Sequence, residues 1–507
     1  MTGRDRWTQD RTHVRVAIVG SGFAGLGAAI RLKQAGIHDL VILERARELG
    51  GTWRDNSYPG CACDVQSHLY SFSFAPNPEW SHSFSRQPEI WAYLQRVARD
   101  YGLLPHIRFG HEVCDARWDD ASQRWRIETT RGEYSASLLV MASGALSDPA
   151  VPRLPGIERF EGRAFHSACW DHELDLRGKR VAVIGTGASA IQFVPEIQPL
   201  VERLHVFQRT PPWIIPRHDR PLGAFERALF RRAPALQRVL RGWIYLRREL
   251  LLVPFRHAAL ARLAERMALA HLRKAVRDPA LRRKLTPSYR IGCKRVLISN
   301  DYYPALTRPN VEVVTGTVAE VRAWSVVGED GVERPVDAII FGTGFQPTDQ
   351  PLAHHVRAAD GRSLTDAWGG SPRAYAGTTV AGFPNLFVLP GPNTGLGHTS
   401  VVYMLEAQLE HVMGVVRLMD QHGAGAVEPR AEAESAWVRE VDRRMAGTVW
   451  VAGGCRSWYL DATGRNSTLW PDHTWRYRRR VARVVPDDYV LTPARRDADQ
   501  PAPAAAD

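Results

Sequence analysis

The sequence predicts an α/β protein with two Rossmann-like dinucleotide-binding domains, the second of which carries a helical insertion. A glycine-rich turn between an apolar strand and a helix occurs near the N-terminus, and a second copy follows near residue 185. A basic, amphipathic segment comes after the second copy. The length of 507 residues also favours several domains over one.

The first glycine-rich pattern is RVAIVGSGFAGLGAAIRLKQAG, in which an apolar strand leads into Gly20, Gly22 and Gly25 and then into a helix. In this context GxGxxG lets the backbone approach a pyrophosphate, whose charge meets the amino end of the helix. The next strand, LVILE, ends in Glu44, whose carboxylate can accept hydrogen bonds from both ribose hydroxyls of an adenosine. We therefore expect FAD or NAD, and not NADP, at the first site.

The second copy is KRVAVIGTGASAIQFVPEI, with Gly185, Gly187 and Ala190 at the corresponding positions. Its following strand, LHVFQR, ends in Arg209 where the first copy has Glu44. A guanidinium there can pair with a 2'-phosphate, so we expect NADPH at the second site. The alternative is that Arg209 is only a solvated residue at a strand end.

Composition is that of an ordinary globular enzyme, with 44% hydrophobic and 24% charged residues. The start, MTGRDRWTQDR, lacks the apolar stretch of a secretory signal, and no apolar run approaches the roughly 18 residues that span a bilayer. We expect a cytoplasmic protein without a transmembrane segment. The polar, proline-containing tail at 496–507 is expected to be disordered.

Cysteines and histidines show no metal-ligand spacing, since neither CxxC nor HExxH occurs. We therefore expect no metal. We also expect reduced thiols at all six cysteines, namely Cys61, Cys63, Cys114, Cys169, Cys293 and Cys455.

Positive charge is concentrated in one segment. Residues 221–300 hold 19 Lys and Arg against 4 Asp and Glu, an excess larger than the net charge of +12 of the whole chain. Apolar residues recur there every three or four positions, which predicts amphipathic helices. A solvated helical subdomain is the preferred interpretation, and a weak contact with an anionic membrane surface through 221–290 is the alternative. Nucleic acid is disfavoured because no accompanying motif is present.

The segment between the two glycine motifs carries the most specific pattern in the chain. Its residues are Phe160, Gly162, His166, Trp170 and Asp171. They resemble the pattern FxGxxxHxxxW(P/D) of type I Baeyer-Villiger monooxygenases, class B flavoprotein monooxygenases of the flavin-containing monooxygenase superfamily. N-oxygenating relatives usually carry a different aromatic residue at the tryptophan position.

Further segments resemble the same family in the same order: GGTW at 50–53, then YPGCACD, and later GCKRVLISNDYYPAL. The resemblance implies FAD contacts at Gly51 and Thr52, and flavin-side packing by Trp53 and Tyr58. It also implies a discontinuous FAD domain, 1–150 and 385–495. The NADPH domain would comprise 151–220 and 291–384, with the helical insertion at 221–290 shaping the substrate entrance.

The resemblance implies an activity. NADPH would reduce FAD, O2 would form a C4a-peroxyflavin, and one oxygen atom would be inserted beside a ketone carbonyl to give an ester or lactone. The protein must then supply a cation near the developing negative charge in a site that excludes water. Arg295 matches the family's active-site arginine, and Asp64 matches a carboxylate beside it. The alternative for Arg295 is a structural ion pair.

Other site residues are implied in the same way. Lys294 would share the 2'-phosphate with Arg209 and the Thr210 hydroxyl. Trp458 would contact the nicotinamide cofactor or line the substrate cavity. His166 and Trp170 would couple domain movement to NADPH binding and would not act in acid-base catalysis.

Rival functions remain. N- or S-oxygenation is the alternative within the superfamily, and Trp170 and Arg295 argue against it. A flavin disulfide reductase would need two closely spaced redox cysteines, whereas Cys61 and Cys63 form only CxC. A non-catalytic flavin-binding or membrane-recruited protein is the rival from another class. The sequence leaves the ketone and the oligomeric state open.

Overall fold

The structure is a computed structural model that describes residues 12–455 and 457–495, without the side chain at position 258. The predicted disordered tail, 496–507, lies outside the described residues. The predicted α/β fold is confirmed, because two largely parallel sheets flanked by helices form the framework.

The first sheet grows from the first glycine motif. Its central strand, β1, is parallel to β2 on one side and to β6 on the other, and β4, β5 and β6 form an antiparallel meander. Residues of β1 such as Val16 and Ile18 are completely buried, as expected of a strand covered on both faces. The elements are β1 (Thr12–Val19), α1 (Phe23–Gln34), β2 (Leu40–Glu44), α2 (Thr52–Asp55), α3 (Gln87–Asp100), β3 (Ile107–Phe109), β4 (Val113–Asp119), β5 (Arg124–Thr129) and β6 (Gly132–Met141).

The second sheet grows from the second glycine motif in the same way. Strand β8 leads into the glycine turn and α4, and β9 returns parallel to β8. The elements are β7 (Arg163–His166), β8 (Arg180–Ile184), α4 (Ala190–Ile197), β9 (Arg203–Gln208) and β10 (Ile214–Ile215).

The predicted insertion is helical. Its two ends are joined, because β10 before it pairs with β11 after it. The elements are α5 (Ala224–Arg232), α6 (Pro234–Leu250), α7 (Leu252–Arg256), α8 (Ala258–Ala275), α9 (Pro279–Lys284), β11 (Leu297–Ile298) and α10 (Tyr302–Leu306).

After the insertion the chain completes the second sheet, whose order is β12-β9-β8-β16-β7 with all neighbours parallel. A three-stranded antiparallel sheet is inserted between β12 and β16. The elements are β12 (Val311–Thr315), β13 (Val318–Arg322), β14 (Ser325–Gly328), β15 (Glu333–Pro335) and β16 (Ala338–Phe341).

The chain then returns to the first sheet, where β17 pairs with β4 and β18 with β6. The return occurs before the predicted boundary at 385, because β17 already belongs to the first sheet. The remaining elements are α11 (Pro351–His355), β17 (Val356–Arg357), α12 (Leu364–Trp368), β18 (Leu386–Val388), α13 (Val401–His422), β19 (Ala424–Pro429), α14 (Ala431–Met445), α15 (Val449–Ala452), α16 (Thr474–Val481) and β20 (Tyr489–Pro493).

The cysteines correct one prediction. Cys293 and Cys455, which are 162 residues apart in sequence, form a disulfide, so the expectation of thiols at all six positions is wrong for this pair. The fold brings the two cysteines close together, and their spacing in the sequence does not indicate this. The other four are free thiols.

Within the described residues, no helix is both long and apolar enough to cross a bilayer.

Candidate functional site

A cavity of about 670 Å³ lies at the carboxyl ends of β1 and β2. Its walls include Gly20 and Gly22 of the first glycine turn, Glu44 at the end of β2, and the pair Asp64 and Arg295. This position, beyond the carboxyl ends of parallel strands, is where α/β sheets bind nucleotides.

The first glycine turn is shaped to bring backbone close to a ligand. A Cβ on Gly25 would lie 1.9 Å from the Gly20 carbonyl oxygen, so only glycine permits this approach of helix and turn. Helix α1 begins at Phe23 without a side-chain cap, and Phe23 lines the cavity. The amide groups of its first turn lack partners within the helix and therefore suit a pyrophosphate.

Gly22 and Gly51 form one wall of the cavity. Their backbones are in contact, since a Cβ on Gly51 would lie 3.2 Å from the Gly22 Cα. Thr52 and Trp53 continue this wall, and the Trp53 indole donates to the Tyr70 hydroxyl at 3.1 Å. Three of the four residues proposed for the flavin side thus border the cavity.

Tyr58, the fourth, does not line this cavity within the described chain. It is buried, and its hydroxyl donates to Gln192 of α4 at 3.0 Å. Its ring also packs edge-on against Phe193 of the same helix. Tyr58 therefore joins the 52–64 segment to the second dinucleotide fold.

Glu44 is buried and ionised. Ser21 donates to it from its backbone at 2.9 Å and from its hydroxyl at 2.6 Å, and the Arg54 guanidinium donates at 3.0 Å. Burial raises the pKa of Glu44, but Arg54 and the hydrogen bonds outweigh this effect, and the pKa lies below its ordinary value. A fixed acceptor for ribose hydroxyls results.

Arg295 and Asp64 form an ion pair in the cavity wall. Nε and Nη2 of Arg295 donate to one Asp64 oxygen at 3.0 and 2.6 Å, and Nη1 donates to the Leu396 carbonyl at 2.8 Å. Burial opposes charge on both, but their attraction outweighs it, so the pKa of Asp64 is lowered and that of Arg295 is raised. The guanidinium is held in one orientation while remaining charged.

A second arginine reaches this pair from the insertion. Arg248 of α6 donates to the Asp64 carbonyl at 2.9 Å and to the Gln66 side chain at 2.6 Å. Sequence reasoning missed Arg248. A signal was available, since Arg241 and Arg248 share a helical face with the buried Ile244.

The C-terminal segment also reaches the cavity. Trp458 lines it, remains 44% exposed and packs against Tyr459, with ring centroids 4.5 Å apart. Tyr459 is buried and its hydroxyl has no hydrogen-bond partner among the described atoms. Burial raises its pKa to about 12, against the opposing effect of Arg295. Tyr459 is a second residue that sequence reasoning did not single out.

The second glycine turn faces the same cavity. Helix α4 begins at Ala190 without a side-chain cap, directly after the turn that contains Gly185 and Gly187. Ala188 of this turn lines the cavity. Within the described residues, the second turn reaches this cavity through Ala188, whereas Gly185, Gly187 and Ala190 do not line it.

The residues predicted to bind a 2'-phosphate lie close together. Arg209 is exposed directly after β9, and the Thr186 hydroxyl donates to the backbone carbonyl of the next residue, Thr210, at 3.4 Å. Lys294 is half-buried, with Nζ 5.2 Å from the centre of the Tyr289 ring. Burial, and then the charge of Arg209, lower the pKa of Lys294. The two cations therefore repel one another, and bound negative charge would relieve this repulsion.

The fingerprint segment lies where the second sheet begins. Phe160 packs beside Gly162, where a Cβ would meet the Phe160 ring at 2.6 Å and the Asp337 carbonyl at 2.4 Å. Asp171 accepts from the Glu173 backbone at 3.1 Å and lies 3.9 Å from the Arg163 guanidinium.

His166 and Trp170 face different neighbours. The His166 ring is buried, accepts from the Ala168 backbone at 3.1 Å and packs against Phe345. Burial lowers its pKa. Trp170 packs against Phe193 of α4, with ring centroids 5.4 Å apart.

A family model and two curated relatives match most of this chain. A model of the flavin-binding monooxygenase-like family matches residues 13–356. A Baeyer-Villiger monooxygenase of Streptomyces coelicolor is 54% identical over 489 residues, which cover 96% of this chain and 94% of that protein. A Baeyer-Villiger monooxygenase of Pseudomonas aeruginosa is 50% identical over 483 residues, covering 95% and 92%.

A solved structure is also similar to this chain. The crystal structure of cyclohexanone monooxygenase from Rhodococcus sp. Phi1 bound to NADP+ is similar with a TM-score of 0.85 at 30% identity. The similarity covers 96% of this chain and 100% of that one.

Proposed function

The chain belongs to the flavin-binding monooxygenase-like family. We propose how the residues of its cavity promote the insertion of oxygen beside a ketone carbonyl. The chain is a type I Baeyer-Villiger monooxygenase that uses FAD, NADPH and O2 to insert one oxygen atom beside a ketone carbonyl, giving an ester or lactone. N- or S-oxygenation is not favoured by these relatives. The observation that carries the proposed mechanism is the Arg295–Asp64 pair in the wall of the nucleotide cavity.

The residues that line the cavity suit FAD, because a glycine turn for a pyrophosphate and a carboxylate for a ribose border the same space. Its pyrophosphate would lie against Gly20, Gly22 and the first turn of α1, and Glu44 would accept from the adenosine ribose. Gly51 and Thr52 would border the flavin. Bound FAD supplies the transfer of electrons from NADPH and the activation of O2, and the protein supplies position and charge.

Arg295 is the proposed catalytic residue. Its fixed guanidinium would stabilise negative charge that develops on the ketone oxygen when the carbonyl is attacked. Because the guanidinium cannot lose its proton at working pH, it serves as a cation and not as an acid. Asp64 and the Leu396 carbonyl orient it before substrate arrives, which avoids reorganisation during the reaction.

Asp64 and Arg248 are proposed as positioning residues. Asp64 holds Arg295 through two hydrogen bonds to one oxygen, which leaves the other oxygen outside this contact. Arg248 fixes the Asp64 backbone from α6. The insertion would thereby influence the reaction through Asp64, without contact with substrate.

NADPH would bind along the second glycine turn, with its pyrophosphate near Gly185, Gly187 and Ala190. Arg209 and Lys294, joined by the Thr210 hydroxyl, would hold the 2'-phosphate, whose charge relieves the repulsion between the two cations. Trp458 would border the nicotinamide or the substrate.

His166 and Trp170 are proposed to couple the domains. Trp170 contacts Phe193 on the helix that starts at the second glycine turn, and Phe193 in turn contacts Tyr58 of the first domain. A movement of α4 on NADPH binding would therefore reach the 52–64 segment through packed rings.

We also propose a cytoplasmic location for the protein.

A ketone panel tests the activity. Purified protein with FAD, NADPH and isotopically labelled O2 should convert at least one ketone to an ester or lactone that carries one labelled oxygen, measured by mass spectrometry. A thioether in the same panel tests the alternative. Sulfoxide as the sole product, with every ketone unchanged, would favour heteroatom oxygenation.

A further inference from the structure

Helix α6 carries an apolar stripe on its solvent-facing side. The residues recur at intervals of three and four, which places them on one helical face. Their exposed fractions range from 46% to 69%. The stripe consists of Leu236, Val239, Trp243, Leu246 and Leu250.

The opposite side of α6 packs against the rest of the protein. Gln237, Ile244 and Glu249 are buried there, and Arg241 donates to the backbone carbonyls of residues 68 and 71. The exposed stripe is therefore a second apolar face on a helix whose packing face is already covered. An exposed apolar face of this kind marks an interaction surface.

Other helices of the insertion also expose apolar side chains. On α5, which packs against α6, Phe225 is 81% exposed and Leu229 is 36% exposed. On α8, Leu263 is 54% exposed and Met267 is 64% exposed. Large apolar side chains thus face solvent on three helices of the same insertion.

The charge around the stripe is positive. Arg232, Arg238 and Arg247 are exposed, and Arg247 lies over the Trp243 ring at 4.6 Å. The acids of α5 and α6 do not offset this charge, because Glu249 faces inward to the Thr474 hydroxyl and Glu226 is paired with Arg220, just before the insertion.

We propose that this face of α5 and α6 docks on an anionic phospholipid bilayer. Apolar side chains, including a tryptophan, would enter the boundary between headgroups and acyl chains while the arginines contact lipid phosphates. The helices would lie on the membrane surface. This inference stands on the surface alone and does not depend on the proposed catalytic roles.

A second copy of the chain fits the surface less well. Symmetric packing of two stripes would bring Arg232, Arg238 and Arg247 of each copy toward the same charges on the other, with no exposed acid on the stripe to balance them. An anionic surface complements both the apolar stripe and the charge. Charge complementarity therefore selects the lipid.

Docking would place the bilayer beside the reaction site. Helix α6 presents its stripe outward and Arg248, which contacts the Asp64 backbone, inward. Apolar ketones partition into acyl chains, so a docked enzyme would meet a higher local concentration of substrate.

The experiment is co-sedimentation of the FAD-loaded protein with vesicles of phosphatidylcholine alone or mixed with phosphatidylglycerol. The parent should bind the anionic vesicles and bind phosphatidylcholine at least about tenfold more weakly. Added salt should weaken binding. Failure of the parent to bind anionic vesicles would overturn the proposal.

Two pairs of variants locate the surface. The double variant Trp243→Ser with Leu246→Ser should lose binding by about tenfold or more. Its control, Trp324→Ser with Leu104→Ser, removes side chains of similar exposure, 49% and 43%, elsewhere on the protein and should bind as the parent does. Equal loss in both variants would contradict the assignment.

A second variant and its control test the role of the arginines. Arg238→Gln with Arg247→Gln should weaken binding by about tenfold or more. Arg159→Gln with Arg177→Gln, two exposed arginines of the second domain, should not. All variants should retain FAD and NADPH oxidation. A parent dimer in sedimentation velocity that Trp243→Ser with Leu246→Ser dissociates would overturn the proposal and assign the face to a second copy.

Discussion

Arg295 donates two hydrogen bonds, at 3.0 and 2.6 Å, to a single oxygen of Asp64. The pair belongs to the wall of the cavity that also contains the first glycine turn. A cation is therefore fixed in the space where FAD and ketone would meet, and its partner sets its orientation.

Asp64→Asn should leave FAD bound but loosen Arg295, because an amide replaces the charge that holds the guanidinium. We expect kcat/KM for a ketone to fall by roughly 10- to 100-fold, with a smaller effect on NADPH oxidation. Steady-state kinetics of both reactions measures this. Asp115→Asn is the control, since Asp115 also pairs with an arginine, Arg357, at similar exposure. Equal losses in both variants would assign Asp64 a purely structural role.

Gly22→Ala should fold normally and lose FAD. The added Cβ would lie 3.7 Å from the Gly51 Cα, an ordinary contact, yet it enters the wall of the cavity. Flavin absorbance per protein and thermal unfolding of the apoprotein measure the two effects separately. Gly242→Ala, on an exposed turn of α6 where the new Cβ would meet nothing within 4 Å beyond the backbone of its own helix, is the control. A fully yellow Gly22→Ala protein would argue against the proposed FAD position.

Arg209→Ala and Lys294→Ala should each reduce the preference for NADPH over NADH. Each charge-assisted contact with a 2'-phosphate contributes roughly 1.5 to 3 kcal/mol, so the double variant should raise the KM for NADPH by about a hundredfold or more. The KM for NADH, which lacks that phosphate, should change little. Arg177→Ala, at an exposed position, is the control. Unchanged cofactor selectivity in Arg209→Ala would contradict its assignment.

The disulfide between Cys293 and Cys455 should be detected by peptide mapping without reductant. Cys293→Ser should lower the free energy of unfolding by roughly 2 to 4 kcal/mol, since the bridge closes a long loop. Denaturant unfolding with and without reductant measures this. Cys114→Ser, which removes an exposed free thiol, should have no such effect. Cross-linked peptides absent from freshly purified protein would contradict the pairing.

Local patterns were sufficient to predict part of the molecule. Both strand, glycine-turn and helix units follow from short apolar strands joined to GxGxxG-type turns, and these determine where Glu44 and Arg209 lie. The helical insertion followed from its apolar periodicity. In each case residues near in sequence carry the information.

Contacts between distant segments could not be read from the sequence alone. Arg248 and Asp64 are 184 residues apart, and Cys293 and Cys455 are 162 apart. Neither pair leaves a local pattern, because the fold brings the residues together. The proximity of Asp64 and Arg295 follows only from family resemblance. The contact of the Tyr58 hydroxyl with α4 likewise leaves no local pattern in the sequence.

The most direct test is the amount of ester formed per NADPH consumed by Arg295→Ala. The variant should keep its FAD and still oxidise NADPH, but release hydrogen peroxide in place of ester. Loss of the preorganised cation should slow oxygen insertion by about 10²- to 10³-fold. Ester per NADPH equal to that of the parent would show that Arg295 is not the catalytic cation and would leave it as a structural ion pair.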